Sequence, residues 1–225
     1  MATAGAALCE LPHNPRVSPA AQSFPVAVLV SGEGTNLQAL LDTVHGHEAE
    51  IVAVASSRGG ARALERARTA GVPTRAFEVA DYPERADRDA AIAAWLQERG
   101  ARLVVLAGYM HLLGAPFLDR FPGAVINVHP ALLPAFPGLG AIQQALDHGA
   151  KVFGVTVHFV DGGVDTGPII LQRAVELPDA REAEVVHDIL RPLEHALLAQ
   201  AVRLFARGAL APDPDNPRRI VVAQG

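Results

Sequence analysis

Continuous aliphatic runs alternate with amphipathic stretches through the first half of the chain. Val26–Val30 and Ile51–Ala55 contain no polar residue, the pattern of strands buried on both faces of a sheet. Leu103–Ala107 and Val125–His129 continue the series, and Val72–Phe77 is a shorter run of the same kind. Between them, Leu37, Leu40, Leu41 and Val44 recur at helical spacing, and Ala61–Ala70 reads as a helix stopped by Gly71. Asp81-Tyr82-Pro83-Glu84 carries helix-start chemistry, a cap candidate followed by proline, and predicts a helix running to about Arg99 before Gly100. Gly114–Phe121 predicts a short helix. In the second half, Val155–Val160 and Ile169–Val175 flank a Gly/Asp loop with no helix between them, which predicts an antiparallel pair. A long helix follows over about Arg181–Ala206, and Pro212, Pro214 and Pro217 then close a C-terminal tail.

Alternating strands and helices mean right-handed crossovers and a parallel sheet. The expected fold class is therefore α/β: a mostly parallel, twisted, Rossmann-like sheet with flanking helices, to which the C-terminal half adds antiparallel strands. One domain is expected over residues 24–210, between a disordered tail at 1–23 and a tail at 211–225. Ligands of such sheets bind beyond the carboxyl ends of the strands. The loops after Val30, Ala107, His129 and Val160 are thus the places for chemistry.

Composition narrows the partners. Half of the 225 residues are apolar, 19% are charged, and the formal net charge is −5 with no run of Lys or Arg. Nucleic-acid and anionic-membrane surfaces need clustered cations, so neither partner is expected. No apolar run approaches the length of a membrane span. Met1–Ser23 lacks the basic start and apolar centre of a cleaved signal, which points to a cytoplasmic enzyme. The single cysteine, Cys9, excludes an intrachain disulfide. Nine histidines are present, but no HxxxH or CxxC spacing accompanies them, so no metal is expected.

Two stretches carry candidate chemistry. Gly32-Glu33-Gly34-Thr35-Asn36 lies between the first strand and the first helix. Free N–H groups and the positive end of the helix dipole suit a phosphate there. Leu37 stands where a dinucleotide fingerprint would place its third glycine, and Ser56-Ser57-Arg58 offers no acid for a ribose diol. A monophosphate fits better than a dinucleotide. In Ile126-Asn127-Val128-His129-Pro130, Asn127 and His129 share one strand face. Two polar side chains on an aliphatic strand are costly without partners. Asp165, in the glycine-flanked loop Asp161–Gly167, is the partner expected; His158, on the next strand, could face the same site or support His129, with a structural role the one expected. An Asn, a His and an Asp suit direct acyl transfer to an amine. The Asn and His bind an oxyanion, while the Asp orients the His and relays protons.

The motifs Val30–Leu40, Leu106–Met110, Asn127–Pro134 and Gly154–Val160, with Asp165, resemble those of the phosphoribosylglycinamide formyltransferases, folate-dependent enzymes of purine synthesis. The resemblance covers about Val26–Leu210. It implies transfer of a formyl group from 10-formyltetrahydrofolate, as co-substrate, to the amine of a phosphorylated ribosyl-glycinamide, by a monomer or homodimer. It implies catalytic roles for Asn127, His129 and Asp165, and phosphate binding by Gly34, Thr35 and Asn36. Glu194 would hold the ribose hydroxyls, with Arg191 a further phosphate candidate. Arg85, the segment Tyr109, Met110, His111, Leu112 and Leu113, and Val160 with Asp161 would line the folate pocket. His111 stands where the pattern more often has arginine, and Gly140-Ala141-Ile142 replaces a His-Thr-His segment. Rival expectations are a formyltetrahydrofolate hydrolase, another folate-dependent formyltransferase, or a nucleotide-binding module without catalysis.

Overall fold

A computed structural model of the protein describes residues 23–223. The extension expected over Met1–Ser23 therefore lies outside the described residues, apart from Ser23 itself.

The first half alternates as its hydrophobic pattern requires. β1 (Phe24–Val30), α1 (Thr35–Thr43), β2 (Ala49–Ser56), α2 (Arg62–Thr69), β3 (Thr74–Ala76), α3 (Arg85–Glu98), β4 (Leu103–Leu106), α4 (Ala115–Leu118) and β5 (Val125–His129) follow in order. Then come α5 (Ala141–Asp147), β6 (Val152–Phe159), β7 (Ile169–Glu176), α6 (Ala183–Ala206), β8 (Leu210–Asp213) and β9 (Asn216–Val222). The sheet order is β3-β2-β1-β4-β5-β6-β7-β9-β8. β1 to β5 pair in parallel, β6 runs antiparallel to both β5 and β7, and β9 lies parallel to β7.

Alternation along β1 builds two cores. Val26, Val28 and Val30 face one helical layer, in which Leu37 and Leu40 of α1 and Leu190, Leu197 and Leu198 of α6 are buried. Ala27 and Leu29 face the other, packed with Ile92 and Leu96 of α3, Phe117 of α4 and Phe77. Full burial of each such side chain contributes roughly 1.5–3 kcal/mol. Chain order reverses at β1, which lies between β2 and β4. A crevice opens at such a point, beyond the strands' carboxyl ends.

Three expectations need correction. The C-terminal tail is a β8–β9 hairpin that extends the sheet. Pro212 is tolerated because β8 is the outermost strand, with one neighbour to hydrogen-bond. The helix expected from Asp81 starts at Arg85; Val79–Asp81 forms a 3-10 turn and Pro83 precedes the helix. α5, of 7 residues, was not expected, because two turns between glycines leave too little periodic pattern to read. Among the described residues, no helix is long and apolar enough to cross a membrane, and no group of three or more His, Cys, Asp or Glu is placed to hold a metal ion.

Candidate active site

β1 ends at Val30 and the chain turns through Ser31–Gly34 into α1. Gly34 sits in the left-handed region at φ 74 and is backed by α2 so closely that a Cβ there would lie 2.5 Å from Ala63 Cβ. Only glycine fits. No side chain caps α1, and the first intrahelical bond is Gln38 N–H to Gly34 O at 2.9 Å. The amides of Thr35, Asn36 and Leu37 are therefore free of helical partners, at the positive end of the dipole. The Asn36 side chain is engaged elsewhere: its Nδ2 donates to Glu194 Oε2 at 2.9 Å in a buried contact. Glu194 reaches this point from α6, two residues after the in-helix Pro192, and His187 Nε2 lies 3.9 Å from its other oxygen. Asn36 and Glu194 thus form one polar unit beside the turn. Arg191 does not join it; its guanidinium pairs with Asp188 at 2.8 Å.

A cavity of about 420 Å³ opens beyond the carboxyl ends of β4 and β5. Met110, Leu112, Leu113, Leu139, Val160 and Val164 supply apolar wall, and Asn127, His129, His158 and Asp165 supply a polar patch. Tyr109, His111 and Asp161 also line it. The Met110 N–H donates to Ser31 Oγ at 3.1 Å, and Ser31 Oγ lies 2.9 Å from Ser57 Oγ. One hydroxyl therefore ties the turn before α1 to the cavity wall.

The polar patch is a closed hydrogen-bond cluster. Antiparallel register sets His158 of β6 opposite Asn127 of β5. Asp165 holds a left-handed backbone at φ 51, which Asp tolerates better than most residues. Its Oδ2 accepts from Gly138 N–H at 2.8 Å and lies 3.3 Å from His129 Nδ1. Its Oδ1 lies 3.3 Å from Asn127 Nδ2 and 3.5 Å from His158 Nε2. Asn127 Nδ2 also lies 3.2 Å from His158 Nε2. His129 Nε2–H donates to Phe136 O at 2.8 Å, and His158 Nδ1–H to Phe159 O at 2.8 Å. The His158 hydrogen bond, then the Gly138 amide and the charge of His129, outweigh burial and hold the Asp165 carboxyl down at about 2. Asp165 is ionised throughout the working range. Burial would raise the neighbouring Asp161 carboxyl, but the Thr166 hydroxyl, the Gly163 amide, Arg218 and His158 together hold it low.

The structure brings Asn127, His129 and Asp165 together and adds His158, for which the sequence favoured a structural role over a place at this site. Alternation does put Asn127 and His129 on one face, but the β5–β6 register that seats His158 beside them is not written in local pattern. Arg85, expected to line the folate pocket, is not part of the cavity wall. Its side chain is exposed near Gly114, 4.0 Å from buried Asp89. Asp89 accepts from Gly114 N–H at 2.8 Å, and burial raises its carboxyl pKa. Burial pushes the Tyr109 phenol up to about 12. Burial, then the Arg88 guanidinium, lowers the His111 pKa, which disfavours the charged ring.

Comparisons with known proteins agree with one another. A family model described as formyl transferase matches residues 25–202. A phosphoribosylglycinamide formyltransferase of Mycobacterium tuberculosis is 45% identical over 192 residues, covering 85% of this chain and 88% of that protein. The trifunctional purine biosynthetic protein adenosine-3 of Drosophila pseudoobscura pseudoobscura is 43% identical over 189 residues; the match covers 82% of this chain but 14% of that much longer protein. The crystal structure of glycinamide ribonucleotide transformylase 1 from Symbiobacterium toebii superposes with a TM-score of 0.85 at 45% identity, covering 91% of this chain and 96% of the other.

Proposed function

The chain belongs to the formyl transferase family, and on that premise we propose that it transfers the formyl group of 10-formyltetrahydrofolate to the amine of 5-phosphoribosylglycinamide, a step of purine synthesis. The observation that carries this reading is the Asn127–His129–Asp165 cluster in the wall of a largely apolar cavity, joined through Ser31 to a helix N-terminus with free amides.

The amine nitrogen attacks the formyl carbon, the C=O bond opens, and its oxygen takes the negative charge. Asn127 and His129 stabilise that oxyanion by donating to it. In the free site both Asn127 donors lean on Asp165 and His158 through contacts of 3.2–3.3 Å. These are long, so exchanging one for a charged oxygen costs little. Collapse of the intermediate restores the carbonyl and breaks the bond to the folate nitrogen. The attacking amine loses a proton and the departing nitrogen gains one; the Asp165–His129 pair is placed to pass it. The free amides of Thr35, Asn36 and Leu37 suit the substrate phosphate, and Glu194, oriented by Asn36, suits the ribose hydroxyls. The folate ring system fits the apolar cavity through the backbone of Tyr109–Leu113 and through Val160, with Asp161 at its edge.

Formyl transfer from 10-formyltetrahydrofolate to glycinamide ribonucleotide, with water and methionyl-tRNA as alternative acceptors, tests the reading. Product with the ribonucleotide alone is expected; preferential hydrolysis or tRNA formylation would refute it. Asn36→Ala releases Glu194 and perturbs the turn. It should raise the KM for the ribonucleotide more than it lowers kcat, with the folate KM unmoved, as for a contact made equally in ground and transition states. A folate KM that rises first would put the turn in the wrong subsite.

A further inference from the structure

Between Ala135 and α5 the backbone enters the left-handed region at Phe136 (φ 54), Gly138 (φ 80) and Gly140 (φ 69). The two glycines adopt this conformation freely, but Phe136 does not, so its surroundings must hold it there. The result is a loop that grips both members of the central pair. The Phe136 carbonyl accepts from His129 Nε2–H at 2.8 Å, and the Gly138 amide donates to Asp165 Oδ2 at 2.8 Å. An acceptor on one imidazole nitrogen sets where the ring carries its proton. With Nε2–H committed to Phe136, Nδ1 is the nitrogen left facing Asp165, 3.3 Å away.

The loop has its own anchor. Gln144, on α5, donates from Nε2 to Leu139 O at 2.8 Å and lies 3.4 Å from Pro137 O. The Gln144 backbone carbonyl is 2.9 Å from His148 Nδ1, and the His148 ring sits 5.4 Å from that of Phe136. The amide of Gln144 thus holds the carbonyls of residues 137 and 139, while residues 136 and 138 hold His129 and Asp165.

We propose that Gln144 is a positioning residue for the transfer. By pinning the loop of residues 136–140, it holds the His129 ring, through Nε2–H, and the Asp165 carboxylate in place without touching substrate. This deepens the formyl-transfer reading and rests on it for the kinetics. The state of the His129 ring is independent of any activity.

Gln144→Met keeps the length and helix preference of the side chain but removes the donor. Gln144→Lys restores a donor. In formyl transfer to glycinamide ribonucleotide, Gln144→Met should lower kcat about tenfold, because small misplacement of a reacting group is expensive. Both KM values should stay within about twofold, the mark of a defect confined to the transition state. Gln144→Lys should recover most of the rate. Nitrogen-15 spectra of the ligand-free protein, with His129→Asn for assignment, should show a hydrogen-bonded Nε2–H in the wild type. Gln144→Met should weaken that hydrogen bond and move the His129 Nε2 resonance. Unchanged kcat with unmoved His129 resonances would overturn the proposal. So would equal losses in Gln144→Met and Gln144→Lys together with a lower melting temperature, since that describes a structural residue alone. If the wild type fails to formylate the ribonucleotide, the functional reading falls, and the spectra still decide the role of Gln144.

Discussion

Asp165→Asn is expected to lower turnover by about a thousandfold or more, the scale on which removing a carboxylate that orients a catalytic histidine acts. The substitution is clean. Asparagine keeps the size of the side chain and tolerates the left-handed backbone at φ 51. What it cannot keep is acceptance on both oxygens, from the Gly138 N–H on one and from Asn127 Nδ2 on the other. Asp165 faces Gly138 N–H and His129 Nδ1 with one oxygen, and Asn127 Nδ2 and His158 Nε2 with the other. An amide must turn its NH2 toward one of these pairs and set donor against donor. Binding of a folate analogue should weaken only modestly, because the apolar wall is untouched. A fully active mutant would remove Asp165 from the mechanism and make His158 the next residue to test. Stability has a pH signature with a definite sign. The native carboxyl is depressed from 3.8 to about 2, so its stabilising contribution is present above the unfolded value and is lost as pH falls through that window. Wild-type melting temperature should therefore drop more steeply between about pH 4 and pH 2 than that of Asp165→Asn.

Asn127→Ala should cost about a hundredfold or more in kcat, corresponding to the roughly 3–4 kcal/mol that an oxyanion donor contributes. Calorimetry should find both substrates still bound. The alanine also leaves His158 Nε2 and Asp165 Oδ1 without the donor at 3.2 and 3.3 Å, so a small fall in melting temperature should accompany the kinetic loss. Near-normal turnover would reduce Asn127 to a residue that satisfies its neighbours in the sheet.

The parallel half of the fold was legible because its strands are buried on both faces. Val26–Val30 and Leu103–Leu106 read as uninterrupted apolar runs, and their periodicity separates them from the helices between. The C-terminal hairpin was not, because Pro212 and Pro217 normally argue against a strand and only the sheet order shows β8 at the rim. Within the site, Asn127 and His129 stand out from period-two alternation alone. Asp165 stands out as an acid among glycines. His158 needed the pairing register of β5 with β6, and the engagement of Phe136 with His129 needed a backbone angle that a phenylalanine does not advertise. Arg85 was placed in the folate pocket by resemblance alone, and its position on the first turn of α3 turns it outward to solvent.

The Ser31 hydroxyl lies within 3.1 Å of both Ser57 Oγ and the Met110 amide, and in the proposed transfer it would act as a gauge block between two substrates seated on different loops. Transfer needs the attacking nitrogen about 3–3.5 Å from the formyl carbon. That gap is the difference between two independently seated molecules, so errors in both seats add within it. Each molecule can sit in its seat at full affinity and still be out of reach of the other. A hydroxyl shared by the two frames would tie their separation in the proposed transfer to one short contact.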